Sequence, residues 1–217
     1  MSLKAISGLY AITPEQPDTE CLLAQVNEVL KGGASVVQYR SKSDDVALLH
    51  GQASELLALC HRFSVPLIVN DNLRLADLIG ADGVHLGRKD ASLREARVVL
   101  GSNRIVGVSC YGDLELARQA ERNGADYVAF GSCFPSSTKP DATRASLDIL
   151  HAASLALHIP IVAIGGITVD NVSSLLNAGV DAVAVISALF DVPDRALAAS
   201  QFVQYFALPG KPGPTLH

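Results

Sequence analysis

VPLIVNDNLRLADLIGADGVHLGRKD, residues 65–90, holds two short apolar runs, PLIV at 66–69 and GVHL at 83–86. Each run leads into a polar cluster that carries an aspartate. The runs are too short for helices and rich in branched side chains, so they predict buried parallel strands. Between them, LRLADLIGAD has room for about two helical turns before Gly80 stops the helix. Neighbouring strands lie roughly 5 Å apart. Asp71 and Asp90 are therefore expected over the same edge of the sheet, close enough to share one hard cation. That edge is where α/β enzymes place their chemistry.

The pattern extends in both directions. Upstream, GLYAIT (8–13) and ASVVQYR (34–40) read as strands, joined by ECLLAQVNEVLKGG as a helix closed by Gly32 and Gly33. DVALLHGQASELLALCHRF (45–63) supplies the next helix. Downstream, SLREARVVLG precedes a strand RIVGVS (104–109), LELARQAERNG precedes ADYVAFG (125–131), and ASLDILHAASLALH precedes PIVAIGG (160–166). TVDNVSSLLNAG then leads to VDAVAVIS (180–187), and PDRALAASQFVQYFAL closes the series. One phrase recurs: IGAD at 79–82, NGAD at 123–126 and AGVD at 178–181, with KGGAS at 31–35 as a looser relative. In each, a glycine ends a helix and a small residue enters the next strand. Strands starting near 8, 34, 66, 83, 104, 125, 160 and 180 predict a single-domain (β/α)8 barrel of the TIM type over residues 1–207. No G-x-G-x-x-G follows the first strand, which counts against a dinucleotide-binding sheet. LPGKPGPTLH (208–217) reads as a flexible Pro/Gly-rich tail.

At 217 residues, 49% hydrophobic and with a net charge of −5, the chain is large enough for one barrel and carries no basic face for nucleic acid. Its cations cluster locally, Arg40 with Lys42 and Lys139 with Arg144, which suits small anionic ligands. Cys21, Cys60, Cys110 and Cys133 are widely spaced without a C-x-x-C pair, so reduced thiols are expected rather than disulfides or zinc. The N-terminus has no signal-peptide pattern, and no apolar run reaches the ~18 residues of a membrane span. A cytoplasmic enzyme without membrane or nucleic-acid partners is the expectation; oligomerisation is not legible.

Polar residues stranded at the ends of the predicted strands are the chemical candidates: Thr13, Gln38, Arg40, Lys42, Asn70, Asp71, His85, Asp90, Ser109, the segment SCFPSSTK (132–139), Gly165, Gly166 and Ser187. Asp71 and Asp90 would each be read alone as helix N-caps. On adjacent strand ends, beside Asn70, they point to a single Mg2+, which takes one or two carboxylates and completes its shell with water and phosphate oxygens. Gln38 ends a strand otherwise built of valines and needs a polar partner there. The loop after Gly131 is longer than usual, as binding loops are. Gly165–Gly166 before one helix and Ser187 at the start of another suit a phosphate monoester. His85, inside GVHL, reads as structural although it sits at the rim. Two anion sites and a metal imply a transferase.

The set VVQYRSK, IVNDN, GVHLGRKD, GVSC, FGSCFPSSTKPDATRA, AIGGI and AVAVIS, in order over residues 8–206, resembles the thiamine phosphate synthase (thiamine-phosphate pyrophosphorylase) family. The resemblance implies an alkyl-group transferase that joins 4-amino-2-methyl-5-hydroxymethylpyrimidine pyrophosphate to 4-methyl-5-(2-hydroxyethyl)thiazole phosphate and releases pyrophosphate, with Mg2+. It implies that Gln38, Tyr39, Arg40, Ser41, Lys42, Asn70, Ser109 and Lys139 bind the pyrimidine pyrophosphate. It further implies catalytic roles for Arg40, Lys139 and Ser109 and a metal held by Asp71 and Asp90. Ser136, Ser137, Thr138, Gly166, Ile186 and Ser187 are implied for the thiazole phosphate. Two positions depart from the usual pattern: Tyr39 replaces an aliphatic residue, and Ser136–Ser137 replace a Thr-led pair. The alternatives are a thiazole tautomerase-like paralogue, which lacks several of the metal and pyrophosphate residues, and another phosphate-binding barrel isomerase.

Overall fold

Each of the eight apolar runs forms a strand in the computed structural model, which describes residues 6–135 and 145–207. The strands are β1 (Gly8–Ile12), β2 (Val36–Tyr39), β3 (Leu67–Asn70), β4 (Gly83–Leu86), β5 (Ile105–Tyr111), β6 (Tyr127–Gly131), β7 (Ile161–Ile164) and β8 (Ala182–Val185). They pair in parallel in chain order, and β8 returns to β1 to close the barrel. The connecting helices are α1 (Thr19–Lys31), α2 (Val46–Arg62), α3 (Leu73–Leu78), α4 (Leu93–Leu100), α5 (Leu114–Arg122), α6 (Leu147–Ala156) and α7 (Val172–Asn177). A short α8 (Ser187–Phe190) and a long α9 (Arg195–Ala207) follow β8. The segment 136–144 and the tail 208–217 lie outside the described residues. No helix among the described residues is long and apolar enough to cross a membrane.

The period of two in each strand divides the core into two layers. Tyr10, Ile12, Val36, Ile68, Ile105, Tyr127, Ala129, Val162 and Ala184 pack inside the barrel. Their neighbours Leu9, Ala11, Val37, Leu67, Val69, Val84, Val128 and Phe130 face outward against the helices. Each fully buried aliphatic side chain in these layers contributes roughly 1.5–3 kcal/mol. Space inside is tight: a Cβ on Gly107 would overlap the ring of Tyr127, which is its partner across the β5–β6 pairing. A glycine here lets a large aromatic ring cross the barrel floor.

The recurring helix–glycine–strand phrase does more than stop helices. Gly80, Gly124 and Gly179 do take positive φ, at 69°, 88° and 91°. The aspartate that follows each of them then reaches sideways. Asp82 accepts the Leu67 N–H at 2.8 Å, Asp126 the Val106 N–H at 2.7 Å, and Asp181 the Ile161 N–H at 2.9 Å. Each carboxylate thus satisfies a donor at the start of the strand preceding its own, at the bottom of the barrel. β5 runs two residues beyond the expected RIVGVS, with a register irregularity between Ser109 and Tyr111. Such irregularities re-aim side chains at barrel rims.

Candidate active site

The top of the barrel opens into a cavity of about 750 Å3 at the C-terminal ends of the strands. Gln38, Arg40, Asn70, Asp71, Asp90, Ser109, Gly166, Ile186 and Ser187 all line it. Ser136, Ser137, Thr138 and Lys139 lie outside the described residues. The remaining three predicted residues stand apart from the lining. Strand alternation turns Gln38 inward and Tyr39 outward, where its hydroxyl donates to Gln52 Oε1 at 2.9 Å within the barrel–helix layer. The Tyr39 side chain therefore packs in the core and stands outside the cavity lining. Ser41 Oγ accepts from the Ser43 N–H at 3.2 Å, and Lys42 is exposed. Glu15, which sequence reasoning passed over, gathers this loop: it accepts from Arg40 Nη1 at 3.1 Å and from the Lys42 N–H at 2.9 Å. Thr13 Oγ1 bonds both the N–H and the carbonyl of Arg40, tying the ends of β1 and β2 together.

Neither Asp71 nor Asp90 caps a helix. Asn72 caps α3 by accepting the Leu75 N–H, and Ser92 caps α4 in a reciprocal pair with Glu95. Asp71 instead takes a left-handed conformation, φ 61°, which aspartate tolerates better than most residues. Its N–H donates to the His85 carbonyl at 2.8 Å, so the strand pairing continues one residue past β3. Asp90 Oδ2 accepts the Gly87 N–H at 2.6 Å, folding the loop after β4 back on itself. The two carboxyl groups come within hydrogen-bonding reach of one another. Loss of hydration in the mouth and then the Asp90 carboxylate push the Asp71 carboxyl up to about 6, against the opposing pull of Asn70 and Arg40. Two facing carboxylates at a mouth also lined by Arg40, Arg88 and Lys89 are a hard-oxygen donor set suited to a divalent ion. Among the described residues there is no group of three or more His, Cys, Asp or Glu placed for a metal. A pair suits Mg2+, which retains water, better than a closed zinc or calcium cage.

Beneath the carboxylates, a chain of hydrogen bonds crosses the barrel floor. Gln38 Nε2 donates to the Tyr10 hydroxyl at 2.8 Å, and the Tyr10 and Tyr127 hydroxyls meet at 2.8 Å. Tyr127 Oη lies 2.9 Å from His85 Nδ1, and His85 Nε2 lies 2.8 Å from Ser109 Oγ. The imidazole stacks on the Tyr127 ring at 5.6 Å between centroids, and Tyr10 meets Tyr127 edge-on at 6.0 Å. Burial pushes His85 down to about 4 and raises both tyrosines above their ordinary range. His85 is thus buried, as its apolar run implied, yet it touches a site residue. Tyr10 and Tyr127 went unnoticed in sequence. The signal was there: tyrosines at inward strand positions carry a hydroxyl that needs a buried partner.

On the opposite side of the mouth, Gly165 and Gly166 follow β7 with φ of 100° and 64°. A Cβ on either would strike the loop after β6, at Ser132 and at Phe134–Pro135 respectively. Bare backbone therefore packs against that loop, and Asn171 Nδ2 steadies it by donating to the Gly166 carbonyl at 2.9 Å. Ser187 opens α8 immediately after β8. Arg88 was also missed: its guanidinium lies 4.8 Å over the Tyr111 ring, and both residues line the mouth. Cys110 and Cys133 are space-filling, their thiols raised by burial to about 12 and about 11.

Residues 9–189 match the family model for thiamine monophosphate synthase. A thiamine-phosphate synthase of Thiobacillus denitrificans is 62% identical over 200 residues, covering 92% of this chain and 95% of the relative. Another, from Methylobacillus flagellatus, is 54% identical and covers 94% of this chain and 98% of its own length. A solved structure of thiamine phosphate pyrophosphorylase from Pyrococcus furiosus superposes with a TM-score of 0.83 at 35% identity, covering 92% of this chain and 95% of that one.

Proposed function

The chain belongs to the thiamine monophosphate synthase family and is a transferase of thiamine biosynthesis, and on that premise we propose its substrates, metal and residue roles. It joins 4-amino-2-methyl-5-hydroxymethylpyrimidine pyrophosphate to 4-methyl-5-(2-hydroxyethyl)thiazole phosphate, giving thiamine phosphate and pyrophosphate. The observation that carries this reading is the facing pair Asp71 and Asp90 with Arg40 at the same mouth. Asp71 and Asp90 would hold one Mg2+, which supplies charge neutralisation for a bound diphosphate.

The aminopyrimidine ring donates electrons, so the bond between its methylene carbon and the diphosphate oxygen can break ahead of attack. The bonding pair leaves with pyrophosphate. Arg40, held toward the mouth by Glu15, stabilises the charge that builds on the departing oxygens, and Lys139 is proposed for the same task. Asn70 and Ser109 orient the pyrimidine, with the backbone near Ser41 and Lys42 closing around the diphosphate. The thiazole nitrogen then donates its lone pair to the methylene carbon and forms the C–N bond. Its phosphate is anchored by Gly166, Ile186 and Ser187, with Ser136, Ser137 and Thr138 from the loop after β6. Such anchoring makes the capture effectively unimolecular. No protein nucleophile is needed, and the buried thiols supply none.

The test is direct. Purified protein is mixed with both substrates and Mg2+, and thiamine phosphate and pyrophosphate are measured together. Equal amounts of the two products, lost on chelation and restored by added Mg2+, are expected. Turnover that survives thorough chelation removes the metal from the proposal, and absence of thiamine phosphate removes the reaction.

A further inference from the structure

The hydrogen-bond chain across the barrel floor has a direction, set at one end by the Gln38 amide nitrogen, which can only donate and which faces Tyr10. Gln38 Nε2 has no lone pair to offer, so the Tyr10 oxygen accepts from it and the Tyr10 proton must go to Tyr127. The Tyr127 proton then has one partner left, His85 Nδ1, which must accept. A neutral imidazole that accepts at Nδ1 carries its single proton on Nε2, and that proton points at Ser109 Oγ. Ser109 accepts inside the chain, so its own hydroxyl proton is turned outward, into the cavity it lines. A second proton on His85 would make Nδ1 a donor to the Tyr127 oxygen and leave the hydroxyl proton of Tyr127 or of Tyr10 without an acceptor in the chain. In a buried site either leaves a polar group unsatisfied.

We propose that Gln38, Tyr10, Tyr127 and His85 act as a positioning relay that holds His85 as the neutral Nε2–H tautomer, so that Ser109 presents a hydrogen-bond donor to the cavity and selects a substrate with an acceptor at that point. The acceptor class is a lone pair on a nitrogen heterocycle, and this part rests on the aminopyrimidine substrate proposed above. The direction belongs to the whole chain. Turning the Gln38 amide so that its carbonyl met Tyr10 would reverse every bond, place the His85 proton on Nδ1, spend the Ser109 proton on His85 Nε2 and leave Ser109 an acceptor toward the cavity. Tyr127 sits at the centre because Gly107 leaves room for its ring. Tyr10, Tyr127 and His85 lie at the floor of the same cavity as Ser109, and their proposed positioning role is exercised through Ser109.

The intact chain, labelled with 15N in histidine, is read by two-bond 1H–15N correlation spectra, with the His85 signals identified by their loss in His85→Gln. A neutral ring protonated at Nε2 is expected. Protonation at Nδ1, or an imidazolium at neutral pH, overturns the relay, and this reading needs no turnover. The functional arm compares Tyr127→Phe, Ser109→Ala and the double variant. Tyr127→Phe is expected to raise KM for the pyrimidine pyrophosphate about 5- to 30-fold, the size of one lost buried hydrogen bond, with a smaller change in kcat. In the Ser109→Ala background the same change should alter KM within about twofold, because its effect is already spent. Fully additive effects would mean that Tyr127 acts as packing alone and would overturn the positioning role. Should the protein make no thiamine phosphate at all, the proposed reaction falls while the tautomer stands or falls on its own spectrum.

Discussion

Aspartates at both ends of the barrel accept backbone N–H groups, as Asp90 does from Gly87, but the two at the top also face each other. At the bottom, Asp82, Asp126 and Asp181 each accept a backbone N–H from a neighbouring strand, and two of them also face a basic partner, His61 at 3.0 Å and Arg97 at 2.5 Å. At the top, Asp71 and Asp90 face one another, and the helix-capping work beside them is done by Asn72 and Ser92. The bottom carboxylates accept from the backbone of the fold. The top pair lines the open mouth, the face where such barrels keep their chemistry, and the proposed metal site is what distinguishes the two ends.

The sharpest way to break this contrast is to neutralise the top pair. Asp71→Asn or Asp90→Asn is expected to lower kcat/KM about 100- to 1,000-fold, the scale of losing charge stabilisation in an active site. Thermal stability should hold or rise, because a like-charge contact is relieved. A variant that keeps wild-type turnover under limiting Mg2+ would place these carboxylates among the structural ones. The reciprocal experiment is Asp126→Ala, which strands the Val106 N–H and removes the Arg97 partner. A loss of about 1–3 kcal/mol in urea unfolding is expected, with kcat per folded molecule unchanged. If Asp126→Ala impaired kcat as strongly as the Asp71 variants, the distinction between the ends would fail.

A smaller effect sharpens the same point. Mg2+ should stabilise the unliganded protein against heat by mass action and should do nothing for Asp71→Asn, as read from melting temperatures in a Mg2+ titration. A metal effect that persists in the variant would locate the ion elsewhere.

These residues were unevenly legible in the sequence. The strands could be read because a fully buried parallel strand is a short branched apolar run bounded by turn residues, and eight of them recur. Asp71 and Asp90 could be paired because consecutive strands are neighbours. The bottom aspartates were seen only as the end of a glycine phrase, since their partners lie on a strand 15 to 20 residues upstream. Tyr39 entered the expected site only through the family motif, and the strand period turns its side chain to the face opposite Gln38. Tyr10 and Tyr127 escaped for the converse reason. They are 117 positions apart and meet only when the barrel closes. Glu15 sits in a loop with no periodicity to mark it.

The least of the expected effects separates the carboxylate from the histidine below it, through pH. Asp71 titrates at about 6 in the native protein against an ordinary value of 3.8, so between those values the folded chain holds the proton more tightly than the unfolded one. Its contribution makes stability fall as pH rises through that window, and the cost is fully present above it. His85 titrates at about 4 against an ordinary 6.5, so over that range the unfolded chain binds the proton and the folded chain does not. Its contribution makes stability fall as pH drops from 6.5 toward 4 and is absent above 6.5. The two slopes oppose each other across an overlapping window. Because Asp71 is only half withdrawn from water, its effect is partly screened, and the fully buried His85 dominates the balance. In metal-free buffer the wild-type urea midpoint should therefore decline gently on acidification below 6.5, and Asp71→Asn should decline more steeply, its opposing slope removed. His85→Gln, less stable at neutral pH because the relay is cut, should show the reverse slope, gaining stability as Asp71 takes up its proton. Identical pH slopes in wild type and Asp71→Asn would mean that the top carboxylate is as well satisfied as those at the bottom.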